Sequence, residues 1–151
     1  MTHIYTTIDI DATPDRVWAA VRDIEHWSEW TPTVTSIRPL DPLLGVGNRA
    51  IVRQPKLLPA RWQIEEGCSF SRITRGPGLL IAARHTIEDA APCIRATLSL
   101  DFSGLLGALR ARLTRDLNTR YLALEAQGLK KHAEAKAQSN ALKTGSAGGS
   151  R

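Results

Sequence analysis

Apolar and polar positions alternate along this chain first with a period of two, then with helical spacing, and each rhythm predicts an element. Over residues 3–10, Ile4, Ile8 and Ile10 share one parity among β-branched neighbours, the pattern of a half-buried strand. Thr13 and Pro14 then form an N-cap and first-turn pair, with Asp15 near the positive end of a helix whose apolar face is Val17, Trp18 and Val21. A second short helix over about residues 24–30 stops at Thr31-Pro32, because proline disfavours helical geometry in the residue before it.

Strand patterns follow over residues 34–40, 48–54, 60–66, 69–75, 79–88 and 94–102. The breaks carry turn chemistry: Asp41-Pro42 with Gly45-Val46-Gly47, then Gly67, Gly76-Pro77-Gly78 and Asp89-Ala90-Ala91-Pro92. Loops this short join antiparallel strands, since parallel pairing needs long crossovers, so with the first strand the pattern predicts a seven-stranded meander. In the last strand Ile94, Ala96, Leu98, Leu100 and Phe102 alternate with Arg95, Thr97, Ser99 and Asp101. The same alternation before it puts Leu79, Ile81, Ala83, His85 and Ile87 on the buried side, which turns His85 inward.

The chain closes on a long amphipathic helix, about residues 105–137. Leu106, Leu109, Leu113, Leu117, Tyr121, Leu124 and Gly128 recur at steps of three and four, a stripe more than about 25 Å long. This stripe is the surface the sheet is expected to wrap. Leu122 and Leu129 lie on nearly the opposite face, where a self-association contact, and so a homodimer, is one reading. Residues 138–151 are small, polar and rich in Gly and Ser, and are expected to form a disordered tail after one domain over residues 1–137. The expected fold is α+β: a curved antiparallel sheet gripping a helix, with two small helices after the first strand. Such a shape encloses a pocket, so binding of a hydrophobic small molecule leads the functional readings.

Charge adds little to that picture once it is located. Of the net +5, residues 1–104 contribute 11 Lys/Arg against 12 Asp/Glu, and residues 105–151 contribute 9 against 3. Arg110, Arg112, Arg115 and Arg120 thus lie along the long helix, without the aromatic interleaving or groove-reading motif of a nucleic-acid binder. Cys68 and Cys93 belong to no C-x-x-C, and His3, His26, His85 and His132 have no metal-ligand spacing, so no metal or cofactor is expected. No apolar run reaches the roughly 18 residues of a membrane span, and the N-terminus has no signal-peptide pattern, which points to a cytoplasmic protein.

The order of these motifs resembles a known family. Ile8 to Trp18 with its Thr13-Pro14-Asp15, the Trp27 and Trp30 segment ending in Thr31-Pro32, the Gly45-Val46-Gly47 turn, and Arg120-Tyr121-Leu122 are similar to the polyketide cyclase/dehydrase and lipid-transport family. That family is part of the START-like, Bet v 1-like (SRPBCC) superfamily, and the resemblance covers about residues 3–135. It implies a helix-grip fold that binds or transforms lipids, polyketides or other aromatics. It implies no universal catalytic signature, so fold alone leaves function open.

A cavity of this kind needs an apolar wall with a few orienting polar groups. On parity, Trp62, Ile64, Phe70, Leu98 and Leu100 would line it, facing Leu109, Leu113 and Leu117. Gln54, Arg72 and His85 are its polar candidates. An unpaired buried guanidinium is costly, so an inward Arg72 wants Asp116 or an anionic ligand group; the other register places Ser71 and Ile73 inside instead. His85, with an ordinary pKa of about 6.5, suits general acid or base catalysis of an aldol-type cyclisation or dehydration, assisted by Asp116 or Tyr121. A histidine simply hydrogen-bonded at the sheet edge is the commoner reading of such a residue. Trp18 is expected to pack, and Trp30 to stand at the cavity mouth. Three functions follow: ligand binding, a polyketide cyclase or dehydratase, or an interaction module in which the basic helix, or Leu122 and Leu129, engages a protein or an anionic surface.

Overall fold

The computed structural model describes residues 2–42, 47–57, 59–65 and 69–145, with residues 62–65, 69–72, 136, 137, 140, 141, 144 and 145 described by their backbone alone. Strand β1 (Thr2–Ile10) leads into helix α1 (Pro14–Arg22), a 3-10 turn (Ile24–His26) and the single-turn helix α2 (Trp27–Trp30). Strands β2 (Ser36–Pro39), β3 (Arg49–Arg53), β4 (Ala60–Glu65), β5 (Ser69–Gly76), β6 (Leu79–Ala90) and β7 (Cys93–Ser103) follow, and helix α3 (Gly107–Gly145) ends the described chain. Thr13 is the N-cap of α1 with Pro14 at its start. Its carbonyl accepts the Arg16 and Val17 amides, while its hydroxyl makes no capping bond.

The seven strands form one antiparallel sheet in the order β1-β7-β6-β5-β4-β3-β2. Hairpins build the run from β2 to β7, and β1 returns to pair with β7, matching Ile4 to Leu100, Ile8 to Ala96 and Ile10 to Ile94. Across the next seam Ile81 opposes Phe102, Ala83 opposes Leu100 and His85 opposes Leu98. The inward row read from alternation is therefore the row that forms. Ile4, Ile10, Ile94, Ala96, Leu98 and Phe102 are buried under α1 and α3 with Val17, Val21 and Trp27.

The face that α3 presents to the sheet differs from the expected one. Ala111, Leu122, Ala126, Leu129 and Ala133 are buried, whereas Leu106, Leu109 and Leu113 are exposed. Leu122 and Leu129, read as a self-association contact, are core residues. Small side chains explain the choice: alanines and Gly128 let the helix lie close to its neighbours, and an ideal Cβ at Gly128 would sit 2.3 Å from the Trp30 carbonyl oxygen. Lys130 Nζ donates to the Asp9 carbonyl at 2.6 Å, and Glu134 Oε1 accepts the Asp11 amide at 2.9 Å, pinning the helix to the end of β1. The helix also outlasts its expected end at Ala137. Residues 138–145, expected in the tail, continue it, because Ala141, Leu142 and Lys143 are good helix formers that extend an existing helix cheaply.

The turns are tighter than expected: Gly76 closes β5 and Asp89 and Ala90 continue β6, leaving Pro77-Gly78 and Ala91-Pro92 between the strands, and the Ala91-Pro92 bond is cis. Gly67, Cys68, and Gly45 and Val46 of the glycine turn lie outside the described residues. No helix among the described residues is long and apolar enough to cross a membrane.

Candidate functional site

Helix α3 packs chiefly on β1, β7 and α1, so the rest of the sheet's inner face is left partly uncovered. Between the N-terminal half of the helix and strands β4–β7 lies a cavity of about 290 Å³. That is at the lower end of the roughly 300–1,000 Å³ of ligand pockets, enough for a compact molecule. Leu79, Ile81, Ala83, Leu100 and Phe102 form its sheet wall, brought onto one face by the β6–β7 register. Gln54, Leu57 and Pro59 close one side from the loop between β3 and β4, where Lys56 holds a left-handed backbone (φ 61).

The opposite wall is helical and polar. Arg110, Thr114, Asn118, Tyr121 and Glu125 recur at steps of three and four with Leu122 beside them, so one face of α3 lines the cavity over four turns. Two of these groups are locked to the helix. Thr114 Oγ1 donates to the Arg110 carbonyl at 2.8 Å and accepts from Asn118 Nδ2 at 2.8 Å. The Tyr121 hydroxyl donates to the Pro55 carbonyl, tying helix to loop. Arg61 and Arg75, both exposed, border the cavity where the β4–β5 ladder has ended, and with Arg110 they make that end basic.

At the inner end His85 Nε2 lies 2.6 Å from Glu125 Oε1, and the two side chains are 3% and 6% exposed. A carboxylate this deep is costly unless it is hydrogen-bonded, and the imidazole supplies that bond. The Trp27 ring meets the His85 ring edge-on at 5.3 Å, and its indole donates to the Val21 carbonyl at 3.2 Å. Residues of α1 and α2 therefore hold the histidine in place, and Glu125 carries the pair to the cavity surface. A carboxylate hydrogen-bonded to an imidazole at the cavity surface can accept or return a proton from a molecule lodged there.

The expected site residues divide into four groups. Gln54 and Leu100 line the cavity, and His85 reaches it through Glu125. Leu98 is fully buried beneath the wall, and Leu117, half-buried, does not border the space. Leu109 and Leu113 point to solvent, because the helix turns its alanine and glycine face to the sheet; Trp30 packs on Gly128, Trp27 and His132 instead of standing at the mouth. The side chains of Trp62, Ile64, Phe70 and Arg72 lie outside the described residues, although the backbone register puts position 72 opposite Ile64 and Ala83, in the row of His85. Asp116, offered as a partner for Arg72, is exposed. Sequence reasoning passed over Arg110, Thr114, Asn118 and Glu125. The signal was present as polar residues at helical spacing, which reads as a solvated face until the sheet is placed against it.

Among curated proteins none matches the chain in sequence. Solved structures match it closely in shape. A Thermus thermophilus protein superposes with a TM-score of 0.71 at 16% identity, covering 89% of this chain and 99% of that one. A START superfamily protein from Mycobacterium smegmatis gives 0.68 at 14%, covering 88% and 97%. The Zhui aromatase/cyclase from a Streptomyces species gives 0.67 at 14%, covering 90% and 95%. Identities this low show the helix-grip fold alone. The family model described as polyketide cyclase/dehydrase and lipid transport matches residues 1–134, all of the sheet and most of α3. With that match over the whole folded sheet, the chain belongs to the polyketide cyclase/dehydrase and lipid-transport family.

Proposed function

We propose that this protein binds a compact hydrophobic molecule, lipid-like or polyketide-like, between α3 and the uncovered part of the sheet. The observation that carries the reading is the asymmetry of the cavity: an apolar sheet wall faces a helix wall of Arg110, Asn118, Tyr121 and Glu125. Apolar area holds a ligand, and a few fixed polar groups orient it. The family's own description, spanning cyclases and lipid transport, supports the same class. Thermal-shift titration with a panel of fatty acids and aromatic polyketides tests it. A saturable rise in melting temperature is expected, and it should vanish in Ala83→Phe, which fills the cavity; no response to any member would refute the reading.

The His85–Glu125 pair favours a second reading, a polyketide cyclase or dehydratase. Glu125, backed by His85, would take a proton from a methylene between two carbonyls. The resulting enolate would form a carbon–carbon bond to a further carbonyl, whose π bond breaks, and the alkoxide would take the proton back from Glu125 to become a hydroxyl. Glu125 would then remove the second methylene proton and pass it to that hydroxyl, which leaves as water as the carbon–carbon double bond forms. Replacing Glu125 with Gln keeps the volume and the hydrogen bond to His85 while removing the base. Turnover of a poly-β-ketone mimic should fall by about 10²–10⁴ with little change in affinity, whereas turnover unchanged from wild type in Glu125→Gln and His85→Ala would remove this reading.

A further inference from the structure

The cavity leaves one prominent feature of the molecule unexplained. Leu105, Leu106, Leu109 and Leu113 are 96%, 51%, 55% and 74% exposed, at the start of a helix whose other face is core. At 100° per residue Leu106, Leu109 and Leu113 form one outward stripe, with Arg110 on one flank and Arg112 on the other. Arg120, also exposed, continues the line of the stripe two turns on. Among the described residues none of these three arginines forms an ion pair, and Asp116 is the one acidic side chain of this segment. The start of the stripe adjoins residues that border the cavity. The Leu106 amide donates to the Gly78 carbonyl at 2.9 Å, and Arg75 and Leu79, which border the cavity, flank that turn.

We infer that this leucine-and-arginine rim docks the protein on an anionic lipid surface, with the cavity opening turned toward the bilayer. Four leucines supply the apolar face of an interfacial helix, and the arginines supply its attraction to acidic headgroups. Charge decides against a second copy as the occupant. A two-fold contact through the stripe would set Arg110, Arg112 and Arg120 of one chain against the same residues of the other, with a single Asp116 from each to offset them.

The test is co-sedimentation of the full chain with vesicles of phosphatidylcholine alone or of phosphatidylcholine mixed with phosphatidylglycerol. The protein should bind the mixed vesicles, bind the neutral ones far less, and be released as salt rises. Removing the charges as Arg112→Gln and Arg120→Gln should weaken binding about fivefold per charge. The double variant Leu109→Glu, Leu113→Glu should abolish it with an unchanged unfolding midpoint. The cavity-filling Ala83→Phe should still dock, which keeps this inference separate from the ligand reading. Equal binding to both vesicle types, no binding to either, or full binding by the leucine variant would overturn it. So would a dimer in light scattering that the leucine variant dissociates.

Discussion

At Gly128 a single methyl group decides whether α3 can lie where it does. An ideal Cβ there would stand 2.3 Å from the Trp30 backbone oxygen, and backbone cannot swing aside as a flexible side chain does. Gly128→Ala should therefore cost about 1–3 kcal/mol in urea denaturation, as overpacking does, although alanine favours the helix. A stabilised variant would contradict the packing. His26 gives a residue-level test with a defined sign. Its Nδ1 lies 2.7 Å from Asp23 Oδ1, and that hydrogen bond, followed by the Asp23 and Glu29 charges, raises its pKa above the usual 6.5. A raised folded-state pKa means the pair's contribution is fully present below about 6.5 and is lost as pH climbs through the raised value. An NMR titration should place His26 above 6.5 in the native chain and nearer to it in Asp23→Asn; identical midpoints would refute the pairing. At this scale the sequence revealed His85 by strand alternation and hid Glu125, because a glutamate on a long helix is ordinarily solvated.

Among the elements, β7 and β6 were the most legible. Their side chains alternate strictly, and one buried face fixes the register of both. Helix α3 was misread because apolar residues occupy two faces, leucines on one and alanines with Leu122 and Leu129 on the other. A count of large side chains chooses the first, while close approach to the sheet and to Trp30 requires the second. The two faces predict opposite outcomes for similar substitutions. Leu129→Ala should cost about 2–5 kcal/mol, as truncations in a core do. Leu113→Ala should change stability by less than about 0.5 kcal/mol. Comparable losses at both positions in chemical denaturation would mean that the helix is rotated from the orientation described here.

Across the whole molecule, the order of elements carried the fold: a strand, small helices, a meander and a long helix leave few ways to bury every apolar face at once. A cavity was expected, but its place and its polar helix wall were harder to foresee. It exists because α3 leans toward β1 and β7, held by Lys130 and Glu134 at the end of β1, and no local pattern encodes that tilt. Glu134 itself is kept below the usual carboxylate range by Lys130 and by the Asp11 amide. The clamp should therefore stabilise the fold at neutral pH and weaken as acid takes the pH down through that lowered value. The central claim is that the space left by this tilt holds a hydrophobic molecule. Native mass spectrometry of freshly purified protein, followed by denaturing extraction, tests it most directly when wild type is compared with Ala83→Phe. The account predicts a defined bound mass on the wild type that is missing from the filled variant; the same mass on both would place the molecule outside the cavity and contradict it.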